Sequence, residues 1–315
     1  MPNSPLFFSV VIPLYNKEAT VARAIQSVLN QTLQDFEIVV VNDGSTDKGP
    51  DIVSAIKDSR IRLIHQENQG VSAARNKGIV EAKYDLIAFL DADDEWLSEF
   101  LETIRRMIMK YPDCALYATR YFLKAPSGNQ SPALVRGLAD AFEGVLNNYF
   151  QIAVSGAPPV WSSATCARKN ALLAVGSFPV GVKSGEDLLT WARIAAHFQV
   201  AYSMKCLAIF YQTTSCIYVT PPRRVPEIFD VVGIGLDALL NIISRDQRHA
   251  LNSYCAQWHK MRASCYLRLD MQSKARSEIY HALKYSFNLR MIFYLILSFM
   301  PLSFIHWSFK FGGSK

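Results

Sequence analysis

Short, nearly unbroken apolar runs alternate with stretches whose apolar residues recur every three or four positions. The runs are FSVVIPLYN (8–16), FEIVVVND (36–43), RIRLIHQEN (60–68) and LIAFL (86–90). Between them lie EATVARAIQSVLNQ (18–31), GPDIVSAIKD (49–58) and GVSAARNKGIVEAKY (70–84). The first kind reads as strands buried on both faces and the second as amphipathic helices. Their alternation predicts an α/β fold, a mainly parallel sheet flanked by helices. Ligands of such sheets bind beyond the carboxyl ends of the strands. The polar residues after each run, Tyr15, Asn16 and Glu18, then Asn42 and Asp43, then Asn68, then Asp91 and Asp93, are expected to converge on one crevice.

From residue 112 to 220 the pattern loosens. CALYATRYFL, VWSSATCARKNALLAVGSF and VAYSMKCLAIFYQ read as strands around loops and one helix, SGEDLLTWARIAAHF (184–198). Ser184, Glu186 and Asp187 suit that helix's N-terminus, and Leu188, Leu189, Ile194 and Ala195 supply its apolar stripe. After a linker, TPPRRVPE (220–227), the chain reads helical to about Tyr285, and Tyr254–Ser286 resembles one helical hairpin of a tetratricopeptide repeat. The tail RMIFYLILSFMPLSFIHWSFK (290–310) has no charged residue between Arg290 and Lys310. As one helix it would cover roughly 28 Å, which permits a bilayer span. Pro301 and His306 argue for a segment lying in the membrane interface, and the alternative is a helix packed on the protein. The expected organisation is a catalytic domain over 1–220, a helical appendage over 221–285 and a membrane-associating tail over 286–315.

Composition changes little. The 315 residues are half hydrophobic, enough for a sizeable core. The net charge of +6 fits an anionic ligand, an anionic membrane or nucleic acid equally. No basic stripe interleaved with aromatics supports nucleic acid, so none is expected as a partner. Six cysteines without a C-x-x-C pair, and an opening that lacks a secretory signal pattern, place the catalytic part in a reducing cytosol. GIGLDA (233–238) matches a dinucleotide fingerprint only formally, because it lies in a helical stretch without a strand before it.

The chemistry is concentrated in IAFLDADDEW (87–96), which puts Asp91, Asp93 and Asp94 within four positions. Such like charges repel unless a bound cation, a neighbouring Arg or Lys, or water relieves them. On extended backbone Asp91 and Asp93 point to one side, as a hard cation such as magnesium or manganese requires. The alternative is an Asp-rich helix cap, which Asp94 suits. Asp43, after a strand and before Gly-Ser-Thr, could accept from a nucleobase N–H or a ribose hydroxyl, or could simply make an Asx turn. Arg75, with Asn76 and Lys77 beside it, could neutralise a diphosphate, or could be a solvated helix charge.

Five segments in order, VVIPLYNKEATVARAIQSVLNQT, EIVVVNDGSTD, NQGVSAARNKGI, IAFLDADDEW and GEDLLTWARI, resemble family 2 of the glycosyltransferases. These are inverting enzymes of the type A, Rossmann-like fold that use nucleotide-sugar donors. The resemblance spans roughly residues 7 to 215. It implies that Pro13, Tyr15 and Glu18 line the base and ribose site and that Asp43 reads the base. It implies further that Arg75 and Asn76 lie at the donor, that Asp91 and Asp93 form the D-x-D pair holding a divalent manganese or magnesium ion, with Asp91 also touching the donor, and that Asp187 is the catalytic base with Glu186 at the acceptor. The Q-x-x-R-W signature of processive synthases is missing after Asp187, which implies single addition. The expected activity is transfer of one sugar from a UDP-sugar to a saccharide or lipid-linked acceptor at the cytoplasmic membrane face, in cell-surface polysaccharide biosynthesis. A non-catalytic membrane scaffold of the same fold is the alternative.

Overall fold

The computed structural model describes residues 6–212, 225–287 and 289–312. The chain forms two compact units, Met1–Tyr211 and Gln212–Lys315. The first unit opens with β1 (Phe8–Leu14), α1 (Val21–Leu29), β2 (Phe36–Asp43), α2 (Gly49–Ala55), β3 (Ile61–Gln66), α3 (Val71–Glu81) and β4 (Leu86–Phe89), the alternation the apolar pattern predicts. All eight residues of β2 and all four of β4 are buried, as strands covered on both faces must be. In α1, Val21, Ala24, Ile25 and Val28 form the buried stripe. Helix α3 lies so close to the sheet that a Cβ on Gly78 would meet Val11 Cγ1 at 2.3 Å.

The sheet runs β3-β2-β1-β4-β9-β6-β10-β5, with the short β7 (Gln130–Pro132) on β6 and β8 (Glu143–Val145) on β10. The first four strands are parallel, in registers such as Val10↔Ile38 and Val10↔Ala88. The second half is mixed. β9 (Thr165–Arg168) is antiparallel to both β4 and β6 (Cys114–Lys124), whereas β6 and β10 (Gln199–Tyr211) are parallel. Phe89 pairs with Thr165, so the residues before β9 reach the same edge as the residues after β4. That edge also receives β5 (Glu95–Trp96), antiparallel to β10.

Three local expectations are corrected. VWSSATCARKNALLAVGSF is mostly not strand: only Thr165–Arg168 pairs, and Lys169–Ala174 is a helix. That helix, α6, and α5 (Tyr149–Ser155) are too short for periodicity to reveal. The helix α7 (Glu186–His197) is not capped by Ser184; its N-cap is Gly185 at φ +83°, a left-handed conformation that glycine adopts without Cβ strain. Between these elements, α4 spans Phe100–Lys110.

The second unit holds α8 (Val231–Leu239), α9 (Arg248–Arg268), α10 (Gln272–Tyr285), α11 (Leu289–Leu297) and α12 (Leu302–Gly312). Residues 220–224 of the expected linker lie outside the described residues. GIGLDA falls in α8, and no strand precedes it among the described residues of this unit. The tail is not one long helix. It breaks at Ser298–Pro301 into two short ones, and Met291, Leu297 and Ile305 pack on α9 and α10. Among the described residues no helix is long and apolar enough to cross a membrane.

Candidate active site

β1, β2 and β4 run parallel and end on one edge, so the segments after them are neighbours. The first segment carries Tyr15, which is exposed, and Asn16, held at φ +51° with its Oδ1 accepting from the Thr46 N–H at 2.8 Å. Glu18 Oε2 accepts from the Lys48 N–H at 2.9 Å. Pro13 lies within β1 opposite Val41. Asp43, at the end of β2, is buried and accepts from Gln66 Nε2 at 2.7 Å, the Gln69 N–H at 2.9 Å and the Gly70 N–H at 2.8 Å. It thereby ties the turn that launches α3 to the strand beside it. Asn42 makes the Asx turn, accepting from the Ser45 N–H at 3.0 Å.

The carboxylates after β4 have three different partners. Asp91 Oδ1 lies 2.8 Å from Arg75 Nη2. Asp93 Oδ2 lies 2.5 Å from Lys17 Nζ, and the Asp93 carbonyl accepts from Arg23 Nη2 at 2.6 Å. Asp94 is buried, with its Oδ2 2.5 Å from Ser163 Oγ and 3.3 Å from Trp161 Nε1 and its Oδ1 accepting from the Tyr211 N–H at 3.3 Å. Burial, then the neighbouring Asp91 charge, push the Asp94 carboxyl up to about 8. Asp94 is therefore not the helix cap the sequence implies, since α4 begins six residues later at Phe100. Ser163 Oγ also accepts from the Asp91 N–H at 3.1 Å, so Asp94 positions the Asp91 backbone through one hydroxyl.

Arg75 is buried, and its second arm, Nη1, donates to Glu186 Oε1 at 3.2 Å at the start of α7. The Phe178 ring lies 5.2 Å from the guanidinium carbon. Burial disfavours a charged guanidinium, but Asp91, Glu186 and Asp187 together outweigh that and raise its pKa further. The solvated-charge alternative is excluded. Asp187 follows Glu186 in the first turn of α7, with its Oδ1 accepting from the Leu188 N–H at 2.8 Å. The helix N-terminus does not hold Asp187 at an ordinary carboxylate pKa. Burial and the Glu186 charge raise it to about 7, with Arg75 and the Leu188 N–H pulling the other way.

Asn76, expected at the donor, is used elsewhere. Its Nδ2 donates to the Phe178 carbonyl at 2.8 Å and its Oδ1 accepts from the Phe178 N–H at 3.0 Å. One bond at each end of the amide pins the loop before α7 to α3, and one N–H and one oxygen lone pair remain. Sequence reasoning also misses Lys17, Arg23, Ser163 and Trp161. The acid cluster called for cations without saying which, and Ser163 arrives from 72 residues away with no local signal.

Asp91 and Asp93 fit a hard divalent cation. Their side chains are 24 % and 31 % exposed, and the ion pair of each engages one carboxylate oxygen. In the second unit Asp230, His259 and Glu278 also approach one another closely enough to share an ion. There, however, the Arg262 guanidinium sits among them, with Nε 2.8 Å from Glu278 Oε1 and 3.4 Å from Asp230 Oδ2. His259 Nδ1 lies 2.7 Å from Glu278 Oε2. That cluster already contains its own cation.

A family model described as glycosyl transferase family 2 matches residues 9–152, from β1 through α5. The chain carries a family 2 glycosyltransferase domain. Over 190 residues, 60 % of this chain, it is 36 % identical to an uncharacterized glycosyltransferase of Rickettsia felis, covering 30 % of that protein. Over 105 residues, 33 % of this chain, it is 40 % identical to glycosyltransferase GlyA of Streptococcus pneumoniae, covering 15 % of it. The chain thus matches less than a third of the length of either relative. Among solved structures, S. aureus TarS 1-349 in complex with UDP-GlcNAc shares the fold at a TM-score of 0.68 and 20 % identity, over 96 % of this chain and 87 % of that one. Within the matched residues β1, β2, α3 and β4 carry four of the five ordered motifs, and α7, which carries the fifth, lies beyond them.

Proposed function

We propose that the chain is an inverting glycosyltransferase that passes one sugar from a nucleoside-diphosphate donor, UDP-linked, to a hydroxyl of a saccharide or lipid-linked saccharide in cell-surface polysaccharide biosynthesis, at the cytoplasmic membrane face. The observation that carries this reading is the Arg75 bridge. One guanidinium holds the carboxylate after β4 and the carboxylate opening α7, so the donor end and the acceptor end of the reaction share one site. The UDP-GlcNAc complex of TarS, which has the same fold, supports the choice of donor class.

Asp187 removes the proton from the acceptor hydroxyl while that oxygen forms its bond to the anomeric carbon. The bond from that carbon to the diphosphate oxygen breaks, the electron pair leaves with the nucleoside diphosphate, and attack from the opposite face inverts the centre. A carboxylate whose pKa is raised to about 7 is a stronger base than an ordinary one and is still about half ionised near pH 7. Glu186, fixed by Arg75, orients the acceptor. A divalent manganese or magnesium ion, which Asp91 and Asp93 would hold, supplies charge against the departing diphosphate. Lys17 fixes Asp93, and Ser163 with Asp94 fixes the Asp91 backbone.

The test is calorimetric titration of the full chain with UDP, in manganese and then in excess chelator, followed by transfer assays with UDP-sugars. Manganese-dependent binding is expected. No binding of UDP, GDP, dTDP or CMP would leave the non-catalytic scaffold as the better reading.

A further inference from the structure

The last two helices of the second unit carry more apolar surface than their packing uses. Met291, Leu297 and Ile305 face inward on α9 and α10. On the other side Phe293, Ile296, Phe299, Leu302, Phe304 and Trp307 are exposed, four of them by 52–69 %. A helix apolar on both faces belongs in a core or against lipid, and a run of exposed apolar side chains of this extent marks an interaction surface. The lengths decide between crossing and lying flat. α11 has nine residues and α12 eleven, with a break at Ser298–Pro301 between them. At 1.5 Å per residue they cover about 14 and 17 Å, each roughly half the hydrocarbon thickness of a bilayer.

Charge points to the kind of surface. From Asp270 to Lys315 the sequence has six Lys or Arg residues and two acids, Asp270 and Glu278, and Asp270 Oδ1 lies 2.8 Å from His306 Nε2 on α12. Glu278 is buried and paired with Arg262 and His259, so its charge is not presented outward. The neighbourhood of the apolar face is therefore cationic, the complement of anionic headgroups. Trp307, whose ring centroid lies 5.6 Å from that of Phe304, is of the amphipathic aromatic class that settles at headgroup depth.

We propose that α11 and α12 form a monotopic anchor, which lays its outer apolar face into one leaflet of an anionic bilayer without crossing it. The inference stands apart from the catalytic reading, because its residues lie in the second unit and flotation does not depend on donor binding. The full chain is mixed with vesicles of phosphatidylcholine alone or of phosphatidylcholine with phosphatidylglycerol and floated on a density gradient. It is expected to float with the mixed vesicles at low salt and much less with the neutral ones. A Phe293→Ser, Trp307→Ser double variant changes only exposed positions and should partition at least about tenfold less. The same variant should keep the wild-type circular dichroism spectrum and UDP affinity, which separates loss of the anchor from loss of the fold or of the donor site. A full chain that stays with the protein fraction at low salt, or a double variant that floats as well as the wild type, overturns the proposal. So does a dimer that the same variant abolishes in a chain that never binds vesicles, which would make this face a contact between copies.

Discussion

Arg75→Met tests the bridge directly, since methionine fills much of the arginine volume and removes only the fork of donors. The Glu186 carboxylate, 11 % exposed, would lose its guanidinium partner. Breaking a buried pair by removing one partner costs about 3–5 kcal/mol. The Asp91 arm adds less than about 1 kcal/mol, because that side chain is 24 % exposed and water screens it. Arginine's own desolvation, relieved in the variant, works in the opposite direction, so the net loss is about 3 kcal/mol. For a chain of this size that lowers the thermal midpoint by about 6–12 °C. The sign of the pH dependence follows from linkage. Without Arg75, whose charge pulls the other way, the Asp187 carboxyl is raised further above its unfolded value. Its contribution to stability is then fully present below the unfolded pKa and is lost as pH rises through the folded one. The deficit should thus be larger at pH 8 than at pH 5. The assay is thermal unfolding of the full chain at both pH values, and a variant midpoint within about 1 °C of wild type at pH 8 would refute the bridge. Unchanged stability with weakened UDP binding would return Arg75 to the diphosphate role implied by family resemblance.

Two further substitutions test the other assignments. Asp187→Asn should keep UDP binding and lower kcat by about 10²–10⁴-fold, and the wild-type kcat/KM should climb with pH through a midpoint of about 7 as the raised carboxyl ionises and level off about one pH unit higher; a wild-type profile flat from pH 5 to pH 8 would exclude Asp187 as the base. Asn76→Ala should destabilise by about 1–3 kcal/mol through loss of the Phe178 staple while leaving UDP affinity unchanged, and the reverse pattern in unfolding and calorimetry would restore its donor role.

The parallel half of the sheet was legible because its strands are buried on both faces, and burial writes itself into the sequence as unbroken apolar runs. The mixed half was not. β9 is four residues long, and its antiparallel pairing with β4 and β6 depends on partners far away in sequence, which no local period encodes. The site residues divide in the same way. Asp91, Asp93, Glu186 and Asp187 were legible because carboxylates clustered after a strand or at a helix start are unusual by themselves. The partners that decide their chemistry were not. Lys17 looks like any loop lysine until the fold sets it 2.5 Å from Asp93, and nothing local to Asn76 announces that both ends of its amide bond Phe178. The tail was legible in part, since its length alone permits a span while Pro301 marks the break between α11 and α12.

Why three carboxylates stand together after β4 therefore has three answers. Asp91 is met by Arg75, Asp93 by Lys17, and Asp94 by burial that favours keeping its proton. Only the first of these also reaches α7, and it does so because the residue is arginine. Its two terminal nitrogens lie 2.8 and 3.2 Å from carboxylates on different elements, a geometry that a planar fork can hold and a lysine ammonium at one point would hold less well. The guanidinium makes SAARNK, DADD and GED a single physical object, in which loss of Arg75 takes the partner from a carboxylate in each of the other two, and loss of either carboxylate takes one arm from Arg75. Their fixed order along the chain then follows from the sheet. Arg75 precedes β4 on the helix that crosses back to it, Asp91 follows β4, and α7 must come after β9 has paired with β4 and carried Ser163 to the same edge.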